Sequence, residues 1–236
     1  MKPSVTLFVP TLNEIDGLRN VMPRVKREWV DQVLIVDGQS SDGTADYARS
    51  RGYDVVVQKE KGIRKAYNEG WPHIQGEIVV TFSPDGNCIP ELIPSLIGKV
   101  REGYDMVIAS RYLDGAKSED DTWLTGFGNW LFTRILVNGL HGARYTDAMG
   151  IYRAYRTKLF YELDIDKDDA YAMEKFWMTV MGCEPLISTR MAKRGMKVAE
   201  IPGDEPRRPA GQAKVQIVRC GGSYLTQIIR ELWYWR

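Results

Sequence analysis

The segment SPDGN, residues 83–87, sets one carboxylate (Asp85) and one carboxamide (Asn87) two positions apart in a turn. Both offer oxygen, the donor type that hard divalent cations take. An Asp-Gly turn without a ligand is the ordinary alternative. Three more polar clusters have a similar character: VPTLNE at 9–14, VDGQSSDGT at 36–44 and ASRY at 109–112. Taken singly each is weak, because Asp37 or Asp42 alone reads as a turn or helix N-cap residue. Their shared context is stronger, since each ends a short apolar run.

Those runs define the elements that must position the clusters. SVTLFV, QVLIVD, DVVVQ, EIVVTF and DMVIAS read as five strands, rich in β-branched residues. Helical patterns separate them: NEIDGLRNVMPRVKREW (13–29), DGTADYARSRG (42–52), KGIRKAYNEGW (61–71) and the stretch where Ile89, Leu92, Ile93, Leu96, Ile97 and Val100 share one face. Strand–helix alternation of this kind predicts an α/β fold, a mostly parallel sheet flanked by helices. In such open sheets ligands bind beyond the carboxyl ends of the strands, where all four clusters fall. No GxGxxG follows the first strand and no GxxxxGK[ST] occurs, which disfavours a dinucleotide fold and a P-loop.

After Arg111 the alternation stops. WLTGFGNWLFTRILVNGL (123–140) predicts an amphipathic helix, GIYRAYR a strand, KVAEIP a late strand and DEPRRPAGQAK a polar loop. A final helix places Leu225, Ile228, Ile229 and Leu232 on one face. Without an internal repeat or linker, residues 1–236 read as a single domain with two halves, about 1–111 and about 112–236.

Composition narrows the function classes. The chain has 236 residues, a net charge of +1, 44% hydrophobic and 27% charged residues. That is a globular protein, and its charge argues against a nucleic-acid partner. Three scattered cysteines without a CxxC, and only His73 and His141, leave no zinc pattern and suit reduced thiols in the cytoplasm. The N-terminal apolar run of about six residues is too short for a signal peptide, and no run approaches the roughly 18 residues of a membrane span.

In order and spacing the motifs VPTLNE, VDGQSSDGT, KGIRKAYNEG (61–70), SPDGN, ASRY, TDAMGIYR (146–153) and RPAGQAK (208–214) resemble glycosyltransferase family 2, over roughly residues 4–215. Within it they resemble the polyprenyl-phosphate (dolichol-phosphate) mannosyl- and glucosyltransferases. The resemblance implies a GT-A, Rossmann-like fold whose first half binds a nucleotide-sugar donor and whose second half receives the acceptor. It implies an inverting transfer of a hexose from GDP-mannose or a UDP-hexose, most simply to polyprenyl phosphate. Two other readings stay open: a soluble or saccharide acceptor, and a nucleotide-sugar-binding protein whose catalysis has lapsed.

By resemblance, Pro10, Asn13 and Glu14 cradle the nucleotide and Asp37 contacts the base. Gly38 and Gln39 depart from the family pattern there. Lys61, Gly62 and Arg64 fall where the family contacts base or phosphate, although a lone basic residue on a helix is more often solvated. The family's Asp-x-Asp becomes Ser83 and Asp85, with Asn87 in place of a Gln. Asp85 and Asn87 would hold Mg²⁺ or Mn²⁺ together with donor phosphates, and Ser83 would bond ribose or a metal-bound water. Arg208 and Lys214 match the family's phosphate-binding loop and would stabilise the transition state. Arg111, Asp147 and Arg153 also match, an Arg153–Asp147 ion pair being the structural alternative. For a general base the second half offers Glu184, Glu174 and Asp147. The one Glu-Asp dipeptide, Glu119-Asp120, sits in an expected loop, and an anionic lipid phosphate would need no base. The aromatic, arginine-flanked C-terminal helix and the 123–140 helix suit either a peripheral contact with the cytoplasmic membrane face or packing on the core or on a second subunit of a homodimer.

Overall fold

The structure, a computed structural model, describes residues 2–208 and 217–235. Its seven strands are β1 (Val5–Thr11), β2 (Gln32–Asp37), β3 (Asp54–Val57), β4 (Ile78–Thr81), β5 (Met106–Ser110), β6 (Arg153–Arg156) and β7 (Val198–Pro202). They form one sheet in the order β3-β2-β1-β4-β6-β5-β7. β1 lies parallel to β2 and β4, β2 to β3, and β5 to β7, whereas β6 is antiparallel to both β4 and β5. The mostly parallel sheet expected from the sequence is therefore present, with one reversed strand. The reversal has a simple cause. The chain leaves β5 at one edge and returns to that same edge through residues 111–152, so the next strand must run back.

Strand residues alternate between two apolar layers. On β1, Phe8 belongs to a layer containing Tyr67 and Trp71, while Leu7 and Val9 belong to one containing Leu18, Leu96 and Ile97. Trp71 stacks on Phe160 at 4.1 Å between ring centroids. The helix Ile93–Arg101 buries Ile93, Leu96, Ile97 and Val100, the face its spacing predicts. The strand order reverses between β1 and β4, which places a crevice outside their carboxyl ends.

Three elements differ from expectation. The helix expected over 13–29 is only Ile15–Asn20, followed by single 3₁₀ turns at Met22–Arg24 and Arg27–Trp29. Pro23 lacks the N–H a continuing α-helix needs, and its ring is tolerated only at the start of a new turn. The 123–140 helix exists, but its central eight residues, Leu131–Asn138, wind as a π-helix between α segments Trp123–Trp130 and Gly139–His141. Its start is fixed by a reciprocal cap: Thr122 Oγ1 accepts from the Thr125 amide, and the Thr122 amide donates to Thr125 Oγ1.

The last helix, Ile217–Arg230, also turns a different face inward. Ile228 is buried, but Leu225 and Leu232 are exposed. Gln227 and Glu231 are buried instead. The Glu231 carboxylate accepts from Arg190 Nε (3.0 Å), Arg190 Nη2 (3.1 Å) and Gln227 Nε2 (2.9 Å). Arg190 adds bonds to the carbonyls of Leu163 and Asp164, and its guanidinium lies over the Trp235 ring. Trp235 is itself buried and donates Nε1–H to Asp164 at 2.8 Å. Desolvating this pair is offset by its two-point geometry and full complement of partners. All three cysteines are free, and no helix among the described residues is long and apolar enough to cross a membrane. Because removal of one partner strands a buried charge, Glu231→Ala should lower unfolding free energy by about 3–5 kcal/mol, measured by urea denaturation.

Candidate functional site

The strand ends bring the polar clusters to one edge, each held by local hydrogen bonding. Asp37, at the end of β2, is buried and accepts from the Ser40 amide at 2.9 Å. Asn13 takes a left-handed conformation (φ 54°), tolerable for Asn, and its Oδ1 accepts from the Ser41 amide at 2.9 Å. Asp42 accepts from the amides of Ile15 and Thr44, so it ties the loop after β1 to the helix Thr44–Ser50. Burial works against its ionisation, but the Thr44 hydroxyl and these amides hold its carboxyl below the usual range. Glu14 donates its amide to Thr44 Oγ1, and Pro10 precedes it on β1. Gly17 matters here because a Cβ at that position would meet the Pro84 carbonyl oxygen at 2.5 Å. Only glycine lets the helix Ile15–Asn20 lie this close to the SPDGN turn.

That turn is the centre of the arrangement. Ser83 is partly exposed, and Asp85 Oδ1 accepts from the Asn87 amide at 3.1 Å across Gly86 (φ 96°). Arg208 Nε stands 3.3 Å from Asp85 Oδ2 and 3.2 Å from Asp120 Oδ2. It makes no aligned hydrogen bond to either, so the contact is one of charge alone. Asn87 Nδ2 donates to Asp120 Oδ2 (3.2 Å) and Glu205 Oε1 (3.4 Å), while its Oδ1 is buried without a partner among the described residues. Burial pushes the neighbouring Cys88 thiol well up, with Asp85 adding to the effect. Cys88 is therefore a neutral filler.

Behind the turn lies a second pair. Asp147 is wholly buried, and Arg111 grips it with Nε on Oδ2 (2.6 Å) and Nη2 on Oδ1 (3.1 Å). Arg111 Nη1 continues to Glu205 Oε2 at 3.3 Å, and Ser118 Oγ donates to that same oxygen. Burial alone would raise the Asp147 carboxyl; the Arg111 charge and hydrogen bonds override it and hold it below the ordinary range. The ion pair considered for Arg153 is thus made by Arg111. Arg153 is wholly buried and donates to Gly150 O (2.9 Å), Ser188 Oγ (3.0 Å) and Glu184 O (3.3 Å).

The remaining candidates are placed less openly. Arg64 is buried, with Nε and Nη2 on Glu174 Oε2 (3.0 and 2.8 Å) and Nη1 on Asp168 Oδ1 (2.6 Å). Glu174 Oε1 accepts from the Met181 amide. Glu184, at the start of the helix Glu184–Lys193, is buried and accepts from the Tyr67 hydroxyl at 2.5 Å. Gly62 (φ 120°) and the exposed Lys61 precede Arg64, and Val180 lies against Gly62. Lys214 lies outside the described residues.

Two members of the cluster, Asp120 and Glu205, were not singled out as site residues in the sequence. Each had a faint signal: Asp120 belongs to the sole Glu-Asp dipeptide, and Glu205 precedes Arg208 by three positions in the loop after β7. Among the described residues no three His, Cys, Asp or Glu are grouped to hold a metal ion by themselves. The donor set instead fits an ion held by two protein oxygens, Asp85 and the orphaned Asn87 Oδ1, with a ligand's oxygens completing the shell.

A parallel sheet with one reversed strand, and acid–amide chemistry outside its β1/β4 crevice, is the GT-A glycosyltransferase architecture. The chain superposes with a TM-score of 0.62 at 18% identity on glucosyl-3-phosphoglycerate synthase from Mycobacterium tuberculosis, solved with Mn²⁺, uridine diphosphate and glucosyl-3-phosphoglycerate. The alignment covers 98% of this chain and 80% of that one. Residues 6–164 match glycosyl transferase family 2, and the chain belongs to that family. It is 30% identical over 224 residues to the undecaprenyl-phosphate mannosyltransferase of Micrococcus luteus, covering 89% of this chain and 87% of that protein. It is 29% identical over 230 residues to glycosyltransferase AglJ of Haloferax volcanii, covering 97% and 72%.

The Asp147–Arg111 pair gives a test with a definite sign. Arg111→Met leaves a buried carboxylate uncompensated and should cost about 3–5 kcal/mol near neutral pH. In the wild type the lowered Asp147 pKa contributes stability that is present above the unfolded value, about 3.9, and lost below it. In the variant, burial acts unopposed and raises the Asp147 pKa, so protonation relieves the penalty as pH falls. The stability gap in paired denaturation curves should narrow between pH 7 and about pH 4.

Proposed function

We propose that this chain transfers a hexose with inversion from a nucleoside-diphosphate sugar, GDP-mannose or a UDP-hexose, to polyprenyl phosphate. The carrying observation is the SPDGN turn: a carboxylate and, two positions on, an orphaned buried amide oxygen at the crevice, with Arg208 from the loop after β7 against the carboxylate. The donor's nucleoside lies along Pro10, Asn13, Glu14 and Asp37, and its diphosphate reaches Asp85 and Asn87. When bound there, magnesium or manganese offsets the charge on the departing nucleoside diphosphate. Arg208 and Lys214 supply positive charge to the diphosphate and to an acceptor phosphate. The acceptor oxygen bonds to the anomeric carbon as the carbon–oxygen bond to the diphosphate breaks.

Two features favour a phosphate acceptor over a hydroxyl. The three carboxylates that the second half offers as a base are already engaged: Glu174 by Arg64, Glu184 by Tyr67 and Asp147 by Arg111. A phosphate is anionic and needs no base to remove a proton. The second feature is an apolar rim. Trp123, Phe127, Trp130, Phe176, Met178 and Val218 are all exposed. The two segments carrying the first five rest on the middle of the helix Ile217–Arg230, where Phe132 packs edge-on to Tyr224 and Trp177 donates Nε1–H to Thr226. Exposed Trp and Phe of this kind suit a lipid interface. The relative in Micrococcus luteus is named for an undecaprenyl-phosphate acceptor.

Calorimetry with GDP, UDP and CDP, each with and without Mn²⁺, is the first test. One nucleotide should bind in a metal-dependent way, and Asp85→Ala should abolish the dependence and lower kcat/KM for polyprenyl phosphate about a hundredfold or more. Binding indifferent to metal and to Asp85 would instead favour a protein whose catalysis has lapsed. Separately, Trp123→Ser with Phe127→Ser should reduce co-sedimentation with anionic phospholipid vesicles several-fold while leaving nucleotide binding intact.

A further inference from the structure

The carboxamide of Asn87 is buried and lopsided in its partners. Both hydrogen bonds are made by Nδ2, to Asp120 Oδ2 at 3.2 Å and Glu205 Oε1 at 3.4 Å, and none is made by Oδ1. A carboxamide can be turned over to exchange its oxygen and nitrogen, so its neighbours decide which way it points. Here the neighbours are two carboxylates, which only accept. Turning the amide over would set Oδ1 against two negative charges and lose both hydrogen bonds. The two acids therefore lock the oxygen into the one orientation in which nothing among the described residues satisfies it. A buried acceptor left in this way is costly unless a ligand fills it.

We propose that Asp120 and Glu205 are positioning residues that present Asn87 Oδ1 as a ligand for the divalent ion accompanying the donor. The inference rests on the metal-assisted reading of the SPDGN turn given above. Neither acid is itself a ligand. Glu205 is occupied by Ser118 and Arg111, and Asp120 also faces Arg208. The two arginines keep the cluster from acting as a carboxylate cage. The arrangement also links the two halves of the chain, since loops before Thr122 and after β7 orient a ligand on the loop after β4.

The test is Mn²⁺ affinity, followed by the electron paramagnetic resonance signal of free Mn²⁺ at saturating nucleoside diphosphate (GDP or UDP, whichever binds). Asp120→Asn and Glu205→Gln should each weaken Mn²⁺ binding roughly tenfold or more, as loss of a ligand-orienting contact does, without changing metal-free nucleotide binding. Asn87→Asp supplies the second arm. On the native background its carboxylate meets two others and Mn²⁺ binding should fall; combined with D120N and E205Q it should recover. A merely structural role for the two acids gives no such recovery. If E205Q fails to fold because Ser118 and Arg111 lose their partner, D120N, on a half-exposed loop, decides. Wild-type Mn²⁺ affinity in D120N and E205Q, with affinity lost in Asp85→Ala, overturns this inference and leaves the metal reading standing. Wild-type affinity in Asp85→Ala as well overturns both.

Discussion

A fully buried carboxylate is the constraint around which the strand-end edge is organised. Asp147 cannot sit at zero exposure as an anion without a cation beside it, and Arg111 fills that need. Satisfying Asp147 fixes the guanidinium plane, which leaves Nη1 free to reach Glu205. Glu205 in turn fixes the loop after β7, and that loop carries Arg208 to Asp85. Asp147 also accepts from the amides of Met149 and Gly150, which turns the chain into β6. One desolvated charge thus sets the path of two loops and the entry of the reversed strand.

A second set of polar contacts joins the two halves of the chain. Arg64 and Tyr67 lie on the helix Ile63–Gly70, between β3 and β4, yet their partners Asp168, Glu174 and Glu184 all belong to the second half. Arg64 also lies over the Tyr171 ring at 4.7 Å. A residue that reads as a solvated helix cation is instead a buried tie, because its partners are more than a hundred positions away. The two halves are therefore one mechanical unit, in keeping with a continuous sheet that mixes strands from both.

What could be read from the sequence divides along the same line of distance. Strands β1, β2, β4 and β5 announce themselves through local runs of β-branched residues, and the SPDGN turn through its own five letters. The direction of β6 depends on where residues 111–152 begin and end in space, which no local pattern encodes. Pro23 stands inside the 13–29 pattern, and there its missing N–H outweighs the helical pattern around it. Gln227 and Glu231 look like solvent-facing residues until Arg190, from another helix, makes them the buried face. Asp120 and Glu205 acquire meaning only as a pair around Asn87, from segments some eighty residues apart.

The π-wound stretch Leu131–Asn138 has a consequence for how this chain can diverge. A π turn holds more residues than an α turn, so the helix is in effect an α-helix with extra length absorbed mid-way. Its C-terminal part is anchored, with Leu136 and Val137 buried against Ile228 and Tyr145. Deleting one residue from the stretch and letting it relax to α winding would leave the N-terminal part close to its present direction relative to that anchor, whereas the same loss from the α segment Trp123–Trp130 would turn the residues before it by about 100°. Loss of a residue from the π stretch therefore keeps Trp123, Phe127 and Trp130 on their present face. The π stretch is a place where this helix can lose a residue without re-aiming its exposed aromatics.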